Sequence, residues 1–347
     1  MRHLLAVLLC VAGGASAVLA QPLIPLNDLG AGHYLGFAGG LFENGSNVPP
    51  ADHAAAGASV ASLVQPLDPG GNPSPSGKIV MLSIGMSNTT QEFCSRESLG
   101  PCDSWSFVGQ ASADPAVNHS TLLIVNGAAG GQAADAWDAP TEKNYDRIRT
   151  QNLVRAGATE AQIQVAWVKV ANRAPTVSLP SEAADAYRLV AQLGDIVRAL
   201  KVRYPNLRLV YLSSRIYAGY ATSNLNPEPY AYESGFAVKW LVEAQTRQMR
   251  SGGVDPRAGD LNYNSGVAPF VTWGPYLWAN GESPRSDGLI WLRSDLASDG
   301  THPSTSGRTK VASLLLDFFK TEPTSKGWFL AGSSDKPGRR RAVGRPE

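Results

Sequence analysis

The chain has 347 residues, a net charge of +1, and 43% hydrophobic against 17% charged residues. This supplies a sizeable core for one enlarged domain and excludes the strongly basic footprint of a nucleic-acid binder and the charged, apolar-poor composition of a disordered chain. Beyond the first 20 residues no apolar run approaches the ~18 residues of a membrane-spanning helix, so no stable membrane insertion is expected.

Residues 1–20 place Arg2 and His3 before the apolar run Leu4 to Val11 and end in small residues, Ala15-Ser-Ala17 and Val18-Leu-Ala20. This is the layout of a cleaved secretory signal and predicts a secreted or periplasmic protein. Residues 21–77 form a Gly-, Ala- and Pro-rich extension with one predicted helix at Ala51–Val64 and a Pro/Ser/Gly linker at Asp68–Gly77. From Lys78 on, apolar runs at Ile79–Ile84, Thr121–Val125, Ile163–Val170, Leu207–Leu212 and Pro269–Trp273 read as strands.

Helical segments separate them. Ser181–Arg203 is the clearest, with Ser181 as N-cap and Leu189, Leu193, Ile196, Val197 and Leu200 at helical spacing. Ala231–Arg250 and Ser304–Lys320 follow. Alternating strands and helices predict an α/β domain over residues 78–330, a parallel sheet covered on both faces. In such a sheet, ligands bind at the carboxyl edge, where the Tyr217–Tyr230 loop is placed to form a wall. Residues 331–347 form a basic tail: from Asp335 on, five Lys and Arg face two acidic side chains, and disorder is expected there.

The chemistry-bearing residues sit at strand ends. The first strand stops at Gly85 and delivers Ser87; Asp299 and His302, three apart, precede the last helix. A nucleophilic serine needs a base to take its proton and an acid to orient that base. Of the five histidines, His3 falls in the signal, and His33, His53 and His119 lack a carboxylate at the spacing of Asp299 and His302. Glycines at Gly130 and Gly131 and the amide of Asn172 end the second and third strands and could donate to a developing oxyanion. Export removes Cys10 with the signal and leaves Cys94 and Cys102 as an expected disulfide beside the serine loop. No His or Cys cluster offers a metal site.

Ser87, Gly130 or Gly131, Asn172 and His302 appear in the order that marks the SGNH, or GDSL-like, hydrolase superfamily, which the chain resembles from Lys78 to Lys320. Gly85-Met-Ser-Asn88 and Gly130-Gly-Gln-Ala-Ala-Asp-Ala-Trp137 are most similar to its sialate O-acetylesterase-like carbohydrate esterases. Met86 and Val170-Ala-Asn-Arg173 depart from the family pattern, and a carbohydrate-esterase register places Lys169 rather than Asn172 on the oxyanion side. The resemblance implies a three-layer α/β/α sandwich with a flavodoxin-like, mostly parallel sheet. It also implies cofactor-free ester hydrolysis through an acyl-enzyme: Ser87 attacks, His302 is base then acid, Asp299 orients His302, and the N–H groups of Ser87 and Gly131 hold the oxyanion with Asn172.

The expected substrate is an acetylated carbohydrate, with Trp105, Trp137, Trp273, Tyr276, Trp278 and Trp291 supplying either sugar-stacking surface or core. The alternatives are a non-catalytic glycan-binding or envelope protein on the same scaffold, and a lipid esterase. Oligomeric state is not legible.

Overall fold

The computed structural model describes residues 23–95 and 101–332. The expected signal and almost all of the expected disordered tail lie outside the described residues. Five strands form one sheet: β1 (Ile79–Gly85), β2 (Leu122–Asn126), β3 (Ile163–Lys169), β4 (Leu209–Leu212) and β5 (Phe270–Trp273). Their order is β2-β1-β3-β4-β5, and every pairing is parallel. The order reverses between β1 and its neighbours, which opens a crevice at the carboxyl ends of β1, β2 and β3.

The β1 and β3 residues are buried without interruption, as strands covered on both faces require. Alternation then sorts the side chains into two layers. Val80, Leu82 and Ile84 point into one cluster with Val168, Val210 and Val271. Ile79 and Met81 point into the other with Trp167, Tyr211 and Phe270. The helices Asp185–Arg203 (α4) and Tyr230–Ser251 (α5) cover the first face, while Ser87–Phe93 (α2), Phe107–Ala113 (α3) and Thr305–Thr321 (α6) cover the second. The architecture is the three-layer α/β/α sandwich the sequence implied.

Ala51–Ala61 (α1) lies in the segment before β1 and packs against the second cluster, where a Cβ at Gly57 would press the Phe270 ring. Residues 23–50 fold over α5: the Tyr34 hydroxyl donates to Glu233 at 3.2 Å and Lys239 Nζ donates to the Phe42 carbonyl at 2.7 Å.

Two expectations need correction. Helix α4 begins at Asp185, with Ala184 rather than Ser181 at the cap position. Ser181 sits in a turn closed by the Ala184 N–H on its carbonyl, and the Asp185 carboxylate accepts the N–H groups of Thr176 and Val177. The Cys94–Cys102 disulfide is present with a Cα–Cα distance of 4.6 Å, but it does not adjoin the serine. Cys94 caps the carboxyl end of α2, about 10 Å along the axis from Ser87 at 1.5 Å per residue.

Candidate active site

β1 delivers its serine through a tight approach. A Cβ on Gly85 would lie 2.3 Å from the Lys169 carbonyl, so glycine is required where β1 meets the end of β3. Ser87 is then the first residue of α2, and its N–H has no helical acceptor. On the far side of the sheet order, the loop before α6 is held from several directions. The Ala297 N–H donates to the His302 carbonyl at 2.7 Å, and the Arg293 guanidinium donates to the carbonyls of Leu296, Ala297 and Ser298. Gly300 has φ +64°, and a Cβ there would stand 1.8 Å from the Tyr220 carbonyl.

These two segments meet. Ser87 Oγ and His302 Nε2 are 2.8 Å apart, and His302 Nδ1 and Asp299 Oδ2 are 2.5 Å apart. The other Asp299 oxygen, Oδ1, accepts the backbone N–H groups of Thr301 and His302, each at 3.0 Å. Burial pushes the Asp299 carboxyl up, but its hydrogen bonds from the His302 ring and from the two backbone donors outweigh this and hold it below the ordinary value. An ionised Asp299 fixes Nδ1 as the protonated ring nitrogen and leaves Nε2 to accept from Ser87.

The cavity in front of Ser87 has a volume of about 230 Å³, and its lining includes Gly131, Asn172, Arg173, Arg215, Thr301 and His302. Gly131 has φ +73° with open space where a Cβ would stand, so its backbone is accessible. Gly130 is not part of the lining; its carbonyl accepts the Gln132 side-chain amide at 3.3 Å. The second-strand loop is tied to both neighbours, through the Ala129 N–H on the Gly85 carbonyl and the Ala134 N–H on the Ala171 carbonyl. Asn172 reaches the cavity but gives one Nδ2 hydrogen bond, at 2.8 Å, to the Asp185 carbonyl, which leaves one N–H of that amide.

Lys169 is elsewhere. Its side chain is fully buried, is not part of the cavity lining, and lies 2.5 Å from both carboxylate oxygens of Glu92, itself fully buried. Burial lowers the Lys169 ammonium to about 8 and raises the Glu92 carboxyl, in each case against the pull of the partner.

The aromatic residues do not line the cavity. Trp137, Trp278 and Trp291 are wholly buried, and Trp273 and Tyr276 nearly so. Each indole N–H is used internally: Trp137 on the Gln132 carbonyl, Trp273 on the Leu41 carbonyl, Trp278 on Glu228, and Trp291 on the Leu277 carbonyl. These five are core, not sugar platforms, while Trp105 is exposed and lies outside the cavity lining. The expected loop wall is present, since Leu225 and Asn226 line the cavity.

Sequence reasoning missed Arg215 and Asn88. Arg215 stands three residues past the end of β4, a strand-end position of the kind already singled out for Ser87 and Asn172. Asn88 donates to the Thr301 carbonyl at 2.9 Å, a contact across 213 residues that no local pattern reveals.

No protein-family model and no curated protein matches the chain. Among solved structures it is similar to a salicylyl-acyltransferase from a tetracycline biosynthetic pathway, at 14% identity and TM-score 0.37, covering 73% of this chain but only 58% of that one. It is also similar to a carbohydrate esterase family 2 enzyme with a carbohydrate-binding domain from Corynascus thermopiles (Myceliophthora fergusii), at 11% identity, TM-score 0.39, and coverage of 74% and 69%. A third similarity is to an acylhydrolase, described as putative, from Bacteroides fragilis, at 12% identity, TM-score 0.40, and coverage of 78% and 95%. At such identities no residue role transfers.

Proposed function

We propose that the protein is a serine ester hydrolase of the SGNH type that removes short acyl groups, chiefly acetyl, through an acyl-enzyme. The observation that carries this reading is the continuous line from Ser87 Oγ through the His302 ring to Asp299, at 2.8 and 2.5 Å. In this scheme His302 takes the Ser87 proton as Oγ attacks the ester carbonyl, then returns it to the leaving alcohol; water repeats the cycle to release the acid. The developing oxyanion is held by the N–H groups of Ser87 and Gly131 and the free N–H of the Asn172 amide. Lys169 is assigned no part in this, since its charge is committed to Glu92.

Cavity size supports a small acyl group. At about 230 Å³ the cavity falls below the ~300–1,000 Å³ typical of sites for drug-sized ligands. The alcohol side of the substrate is assigned to a carbohydrate on the sequence resemblance, and an exported location on the N-terminal signal pattern. Among the described residues no helix is long and apolar enough to cross a membrane.

The test is turnover of a chromogenic acetyl ester by the wild-type protein and by Ser87→Ala and His302→Ala. Loss of nearly all activity in both variants, with the fold intact, is expected.

A further inference from the structure

Arg215 lines the cavity, and the reaction above does not use its chemistry. It is 1% exposed, and its Nε and Nη2 atoms are buried without a hydrogen-bond partner. Three carboxylates act on it electrostatically: Glu92, Glu228 and Asp299. Each is committed elsewhere. Glu92 holds Lys169; Glu228 accepts from the N–H groups of Ala218 and Tyr232 and from Trp278 Nε1; Asp299 holds His302. A buried cation left without a direct partner is costly, and a planar guanidinium is shaped to take two carboxylate oxygens at once.

The lining repeats the same sign. Arg173 also faces the cavity, donating to the Gly131 carbonyl at 2.6 Å, and among the described residues no Asp or Glu lines it. The buried Arg215 and the exposed Arg173 thus present two guanidinium groups to the cavity, while the nearby carboxylates are engaged behind it, an arrangement that favours an anion.

We infer that the cavity recognises a carboxylate-bearing ester, with the substrate carboxylate paired to the guanidinium of Arg215. This rests on the esterase reading and narrows its substrate class. The carboxylate can belong to the acyl group, as in a dicarboxylic acid hemiester, or to the alcohol, as in an ester of an acidic hydroxy compound; the recognition chemistry is shared.

The experiment compares kcat/KM on four probes: mono-4-nitrophenyl succinate against 4-nitrophenyl butyrate, for the acyl side, and 4-acetoxybenzoate against phenyl acetate, for the alcohol side. Wild type should prefer the anionic member of at least one pair by tenfold or more, and the pair that shows it identifies the source. In Arg215→Gln that ratio should fall at least tenfold, and Arg215→Lys should retain part of it. A wild-type preference for the neutral member of both pairs, or no preference, overturns the inference whether or not the variants fold. So does an unchanged ratio in a folded Arg215→Gln. Should no ester be turned over at all, calorimetric titration of wild type and Arg215→Gln with benzoate separates the two claims: Arg215-dependent binding upholds the anion site while hydrolysis fails, and its absence sinks both.

Discussion

The Asn88 side-chain amide donates to the Thr301 carbonyl at 2.9 Å, and both residues are almost fully buried. The bond joins the residue after Ser87 to the residue before His302, and so sets the distance between two segments more than 200 residues apart. Asn88→Ala would leave the buried Thr301 carbonyl without its donor, at a cost of about 1–3 kcal/mol, and loosen the Ser87–His302 contact. We expect kcat to fall roughly 10- to 100-fold with KM little changed, because misalignment acts on the chemical step. A kcat equal to that of wild type would show that other contacts set the distance.

The Lys169–Glu92 pair joins α2 to the end of β3 as a fully buried ion pair. Removing one member leaves an uncompensated buried charge, so Lys169→Met and Glu92→Gln should each destabilise by about 3–5 kcal/mol in denaturant unfolding. The double variant Lys169→Met, Glu92→Leu should recover most of that loss, since apolar replacement of a buried pair is often close to neutral. Two single losses that simply add in the double variant would contradict the coupling.

Stability should depend on pH through His53. This ring stacks on Phe270 with centroids 4.5 Å apart and its Nε2 is buried without a partner. Burial lowers its pKa to about 4, against the opposing pull of Asp52. The unfolded ring titrates near 6.5. Between those values the unfolded chain binds a proton the folded chain does not, so the contribution is fully present above about pH 6.5 and declines as the pH falls toward 4. At 1.36 kcal/mol per unit this amounts to about 3 kcal/mol. Urea unfolding across pH 4–7 should show that slope in wild type and a flatter one in His53→Phe.

The Cys94–Cys102 bridge closes a short loop at the far end of α2. Its removal in Cys94→Ala, Cys102→Ala should cost about 2–3 kcal/mol on loop entropy while leaving ester turnover nearly unchanged, because the bridge stands away from Ser87. A loss of activity without a loss of stability would place that loop in substrate binding.

Acyl-chain selectivity should follow cavity size. Across acetyl, butyryl, octanoyl and palmitoyl esters of one alcohol, kcat/KM should decline steeply, as each methylene left outside forfeits about 0.8 kcal/mol of burial. A profile rising toward octanoyl would move the assignment to a lipid esterase.

The sheet was legible because its physics is local. β1 to β5 are apolar runs with turn residues after them, and the structure differs from the expected bounds by only one or two residues at the ends. The start of α4 was misread because Ser181 carries an N-cap side chain while tertiary bonds to Asp185 decide where the helix begins. Ser87, Asp299 and His302 were visible through residue type and strand-end position, and the fold brings them into one hydrogen-bonded line. Trp137 and its fellows were ambiguous in the sequence, since a tryptophan that packs and one that stacks on a ligand share the same composition signal. Arg215 and Asn88 owe their importance to partners, or to the lack of them, far along the chain.

Ser87 is tested as the nucleophile by covalent labelling of the native protein with a fluorophosphonate, followed by peptide mass mapping. One adduct is expected, on Ser87, with activity lost in proportion to labelling and no adduct in Ser87→Ala or His302→Ala. Full esterase activity in a protein whose Ser87 is absent or unlabelled would contradict it.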